Sequence, residues 1–157
     1  MKKRIIYLFL LILWMGVIFY FSSQSREAST KQSDVINSSI IKTVKTFNKN
    51  VNESNLYDKL FKPVRKNAHF VEFFVLGLLS FLYINTFNIN IKKKILYCFL
   101  LCLLYSSLDE LHQEFVSGRD GNMIDILIDI LGSASSIFIC YFLYKKHVKR
   151  TKKVYNK

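Results

Sequence analysis

Four apolar runs, separated by charged stretches, organise the chain. The first covers residues 5–21 without a charge and follows Lys2, Lys3 and Arg4. It exceeds the roughly 7–15 residues of a cleavable signal core, and no A-x-A site follows, so it is expected to stay as an anchor. A second helix is expected to begin near Pro63, whose fixed φ suits a first helical turn. It runs through Phe70, Phe73, Phe74 and Leu76 to about Ile84. A third follows Lys92, Lys93 and Lys94 and continues from Ile95 through Leu108 into the charged residues 109–113. The fourth opens at Met123 or Ile124 behind a capping Asn122 and ends at Tyr144, before Lys145, Lys146, His147, Lys149 and Arg150. The spans are thus about 5–21, 66–84, 95–113 and 123–144. The second and third apolar stretches are only about 15 residues, short of the roughly 20 that cross a bilayer. Each reaches full length by counting its polar end, which places those ends inside protein or at a wet interface.

The fold class that follows is an all-α integral membrane protein, one domain of four transmembrane helices. With the N-terminus inside, the 92–94 loop and the C-terminal basic tail are inside too, as the positive-inside rule requires. Residues 22–62 then form an outer loop. Within it Ile36, Ile40, Val44, Phe47 and Val51 recur at helical steps, opposite Ser, Lys and Asn. That predicts an amphipathic helix lying on the outer membrane surface or over the bundle mouth. Asn37-Ser38-Ser39 and Asn52-Glu53-Ser54 match the glycosylation sequon. No internal repeat and no Gly- or Pro-rich linker divides the chain.

Composition supports the membrane reading. Hydrophobic residues make up 51% of the 157 positions although 23 are Lys or Arg. A net charge of +12 would suggest nucleic acid in a soluble domain. Here the basic clusters flank the spans and serve to orient them, so no nucleic-acid partner is expected. Cys98, Cys102 and Cys140 lie within apolar runs, where a thiol is a small filler.

Three polar clusters meet on the expected outer side. Arg65, His69 and Glu72 fall within about 60° of one helix face. Asp109, His112 and Gln113 share about 100° of the third helix, with Glu110 directed elsewhere. Arg119 precedes a fourth-helix stripe of Asp125, Asp129, Gly132 and Ser136, about 60° wide. Ionisable groups within a span cost about 2.5–3.5 kcal/mol each, and persist where they pair, face a wet cavity or work. Three chemistries fit. The histidines and carboxylates could take a divalent metal, His69-x-x-Glu72 giving ligands one turn apart. Alternatively Arg65 and Arg119, with Gln113, Asp125 and Asp129, form a binding site for phosphate. In that case His69 or His112 is the general acid or base, oriented by Glu72 or Asp109. Ser22, Ser23 and Ser25 could donate hydrogen bonds into such a pocket. The third reading is a structural ion network that pairs Arg65 and Arg119 with Glu72, Asp109 and Asp129. A membrane lipid or lipid-linked envelope precursor is the expected partner.

The series Arg65-Lys66-x-x-His69-Phe70-x-Glu72-Phe73 with Gly77, then Asp109-Glu110-x-His112-Gln113 and Gly118-Arg119-x-Gly121-x-x-x-Asp125, resembles the VanZ-like family. Residues 21–24, Phe-Ser-Ser-Gln, resemble that family's end of the first helix. Ser117 replaces a frequent Pro, and Phe73 a frequent Tyr. The resemblance implies a bacterial cell-envelope protein, multi-pass in the cell membrane, with its functional face extracytoplasmic. The family's namesake is associated with low-level resistance to teicoplanin, a lipid-tailed glycopeptide.

Overall fold

The structure, a computed structural model, describes residues 2–47 and 53–155, without the side chains of 53–63, 65 and 149–155. Among the described residues it is entirely helical. Helices α1 (Lys2–Ser22), α2 (Arg26–Phe47), α3 (Glu53–Ile84), α4 (Ile91–Gln113) and α5 (Met123–Tyr155) follow one another with short connections. Four segments are long and apolar enough to cross a membrane: Lys2–Ser22, Lys66–Ile84, Ile91–Gln113 and Met123–Val148. At 1.5 Å per residue the 19-residue span of α3 covers about 28 Å, close to a hydrocarbon core of about 30 Å. Leu8, Phe9, Leu13, Leu104, Leu108, Leu131, Phe138 and Phe142 face outward, as a lipid-facing surface demands.

Helix ends follow local chemistry. Asn90 Oδ1 accepts from the Lys92 amide at 3.0 Å, capping α4. Asn122 Oδ1 accepts from the Ile124 amide at 3.0 Å, capping α5 as the sequence predicts. Two expected boundaries move. α3 starts at Glu53, so Pro63 stands inside the helix and does not open it. α5 continues through the basic tail to Tyr155, since Lys and Arg are good helix formers once a helix is running.

α3 is the hub, packed against α1, α2, α4 and α5. Its closest partner is α5, and small residues set that approach. A side chain at Gly132 would strike the Phe70 carbonyl, and one at Gly77 would strike Ser136 and the Ser133 backbone. Around this seam Phe73 and Leu76 of α3 join Leu11 and Ile18 of α1 and Cys102 of α4. Cys98 and Cys140 belong to a second cluster with Phe81, Ile84 and Ile137. All three cysteines are free and buried, the filler role expected of them. Trp14 Nε1 donates to the Glu72 carbonyl at 2.9 Å, and Tyr105 donates to that of Met15 at 2.6 Å.

The basic starts of α1 and α4 and the basic end of α5 lie at one end of the bundle. The Arg4 guanidinium lies 3.7 Å over the Phe87 ring, which brings the start of α1 to the α3–α4 turn. Buried Lys94 donates to Asn85 Oδ1 at 2.8 Å and faces the Tyr144 ring of α5.

α2 forms as a helix over Arg26–Phe47. Asn37 and Ile41 are the buried positions, while Ile36 is 51% and Phe47 87% exposed. The face with most side-chain bulk is therefore left open, along a groove lined by Ile36, Ile40 and Val44. Val51 lies outside the described residues. Asn37 is fully buried, which closes that sequon to a glycan.

Candidate functional site

The bundle end opposite the basic cluster holds the polar groups. Cys102, Ser106, Asp109 and Gln113 recur at helical steps of three and four along α4 and are all buried. The stripe is apolar at mid-helix and polar in its last two turns. Opposite it, α5 contributes the fully buried Asp129 and α3 contributes His69.

Asp129 is the centre. Its Oδ2 accepts from Ser106 at 2.7 Å, and its Oδ1 stands 3.3 Å from His69 Nδ1. That approach brings the two groups together without an aligned hydrogen bond. Asp109 is fully engaged: Oδ1 accepts from Ser22 at 2.5 Å and Oδ2 from Gln113 at 2.9 Å. Gln113 Nε2 also lies 3.3 Å from Glu110 Oε1, and Glu110 Oε2 accepts from the Asn122 amide at 2.7 Å. The start of α5 is thereby fastened to the end of α4.

Arg119 enters from the turn between these helices. Gly118 has φ +71°, the left-handed region that glycine tolerates, and the Arg119 amide closes the turn on Val116 at 3.0 Å. The guanidinium then reaches Gln113 Oε1 at 3.1 Å and the Phe21 carbonyl at 3.3 Å. One side chain thus joins α4 to the end of α1.

Beside this network a cavity of about 220 Å³ is lined by Ser22, His69, Glu72 and Arg119, with Ser29 and Ser33 of α2 among its remaining walls. One potential ligand atom each from His69, Glu110 and Asp129 lies within 4.8 Å of the others, and all three residues are buried.

A family model described as VanZ/LLP1 matches residues 7–144, a stretch that contains all four spans and the whole of this network. The chain belongs to the VanZ/LLP1 family. No curated protein and no solved structure matches it.

In this VanZ/LLP1 protein the residues singled out in sequence separate into three groups. His69, Asp109, Gln113, Arg119 and Asp129 come together as described. Asp125 is buried one turn before Asp129, and Glu72 stands on the cavity wall. His112 is set apart: it stacks on Phe19 at 4.6 Å between ring centroids and meets Ser23 at 3.2 Å. Both partners belong to α1 or its end, and His112 does not line the cavity. The side chain of Arg65 lies outside the described residues.

Glu110 reverses an expectation. A helical wheel directs it away from Asp109, His112 and Gln113, yet it is only 4% exposed. The reason is tertiary: the chain folds back after Gly118 and lays the Asn122 amide on its carboxylate. Ser106 was also not singled out, although its position three residues before Asp109 was a usable signal. Of the serines after the first span, Ser22 does enter the network, Ser23 meets His112, and Ser25 Oγ accepts from the Ala28 amide at 3.3 Å.

Proposed function

We propose that this VanZ/LLP1 protein binds or modifies a phosphate-bearing, lipid-linked component of the bacterial cell envelope at the outer face of the membrane. The observation that carries the reading is the cavity itself, which sets Arg119, His69 and two serines of α2 around one small space. Arginine suits a phosphate because its planar fork offers paired donors. Size narrows the ligand: about 220 Å³ falls below the roughly 300–1,000 Å³ of pockets that enclose drug-sized molecules. A headgroup phosphate fits such a space, and a glycopeptide does not. Any effect on teicoplanin would then act through an envelope lipid and not through capture of the drug.

The orientation is supported by charge. Arg4, the 92–94 cluster and the tail of α5 share one end, and the positive-inside rule puts that end in the cytoplasm. The cavity then opens on the opposite face, level with lipid headgroups.

A second reading has its own support. Both oxygens of Asp109 are occupied by Ser22 and Gln113, and Arg119 joins Gln113 to the Phe21 carbonyl. These ties hold α1, α4 and the turn after α4 together whether or not anything binds. On that reading the protein is a non-catalytic membrane component that alters antibiotic access.

Native mass spectrometry in lipid nanodiscs separates them, with a polyprenyl phosphate competing against the corresponding polyprenol. Selective retention of the phosphate, lost in Arg119→Gln and His69→Ala proteins with unchanged far-UV circular dichroism, supports the binding reading. Equal retention of phosphate and alcohol by the wild type would sink it.

A further inference from the structure

We infer that His69, Glu110 and Asp129 form a binding site for a divalent transition-metal cation, of the Zn²⁺ class, beside the cavity and reached from it through His69. The inference deepens the phosphate reading, since a bound cation would offer an open position to a phosphate oxygen. It rests on separate observations.

The first is convergence. Each of α3, α4 and α5 gives one donor, and the three atoms lie within 4.8 Å of one another. Ligands at about 2.0–2.2 Å from a tetrahedral Zn²⁺ ion lie about 3.3–3.6 Å apart. A pair at the full 4.8 Å closes by about 1.2–1.5 Å to reach that range, a movement of side-chain rotation. Hard cations with longer bonds would span it as it stands, but an imidazole among the donors favours zinc and its neighbours over calcium or magnesium.

The second is unused hydrogen-bonding capacity. His69 Nδ1 and Asp129 Oδ1 are both buried without a hydrogen bond, on side chains 8% and 0% exposed. They face each other across 3.3 Å. The two atoms form an ion pair without an aligned hydrogen bond, and a cation bridging them would supply the partner that this geometry lacks. The other oxygen of Asp129 is held by Ser106, and Glu110 is held by Asn122. Such outer contacts orient carboxylates toward a metal.

The third is charge. Among the described residues at this end, Asp109, Glu110, Asp125 and Asp129 are buried with Arg119 and His69. Carboxylates exceed cationic groups by two even with His69 protonated. A divalent cation bound by a neutral His69 would offset most of the excess. Access is through His69, which lines the cavity.

The test uses tag-free, chelator-stripped protein in detergent, titrated with Zn²⁺ and with Mn²⁺ in the absence of phosphate and added lipid. Calorimetry and thermal unfolding are the readouts. The wild type is expected to bind one equivalent and to unfold at a higher temperature when loaded. Asp129→Asn and Glu110→Gln, both near-isosteric, are each expected to weaken binding by at least about tenfold, the lower limit seen even for outer-shell changes. His112→Ala, away from the site, is expected to bind as the wild type does. If one variant fails to fold, the other decides. A wild type with no saturable binding overturns the site, as does unchanged binding in a folded Asp129→Asn or Glu110→Gln protein. Because no phosphate is present, a metal result stands or falls apart from the lipid experiment.

Discussion

Ser106 of α4 and Asp129 of α5 are joined by a fully buried hydrogen bond of 2.7 Å, between residues on different spans. It fixes the Asp129 carboxylate so that its second oxygen faces His69 of α3. Three helices thus meet on one side chain.

Replacing Ser106 by alanine leaves Asp129 Oδ2 without its donor in a dry setting. Side-chain hydrogen bonds between membrane helices are worth about 0.6 kcal/mol on average and up to about 1.7. A loss of about 1 kcal/mol is expected for Ser106→Ala, read as a lower midpoint of unfolding in detergent. A midpoint equal to wild type would show that the bond contributes nothing to the bundle.

The α3–α5 seam makes a steric prediction. Gly132→Ala places a methyl against the Phe70 carbonyl, a rigid backbone group. Overpacking of this kind typically costs about 1–3 kcal/mol. Gly77→Ala meets Ser136 and the Ser133 backbone and is expected to behave alike. Gly16 has nothing within 4 Å of an added Cβ, so Gly16→Ala is the clash-free control, expected to raise stability by up to about 1 kcal/mol through helix propensity. Comparison of unfolding midpoints for the three proteins checks the argument.

His112 offers a prediction in the opposite direction. Its ring stacks on Phe19 and contacts Ser23 outside the cavity. His112→Ala is expected to cost about 0.5–1.5 kcal/mol of stability from the aromatic pair, with ligand retention unaltered. Loss of retention in a folded His112→Ala protein would mean that the site extends to the end of α1.

Arg119→Lys tests the geometry of the guanidinium. Its two terminal nitrogens serve Gln113 and the Phe21 carbonyl separately, 3.1 Å and 3.3 Å away. A lysine keeps the charge but offers a single nitrogen and no planar fork. A lower unfolding midpoint is expected, with phosphate-lipid retention reduced relative to wild type. If both readouts were unchanged, charge alone would explain the residue.

Much of this protein is legible in its sequence because the bilayer imposes a simple condition. A span must be apolar for about 20 residues and satisfy its own backbone, so four helices follow from hydropathy alone. The grouping of basic residues at one end of the bundle was also readable, because flanking lysines and arginines mark the ends of spans. Helical periodicity placed His69, Asp109, Gln113 and Asp129 on inward faces. Tertiary structure decided what periodicity could not reach. A helical wheel gives direction about one axis and says nothing of a chain that folds back, so Glu110 was turned outward until the turn at Gly118 laid Asn122 upon it. The same limit applies to His112, which shares a helix face with Asp109 yet stacks on Phe19 away from the cavity. Sequence fixes which faces are polar; only the packing of helices on one another determines which polar atoms meet.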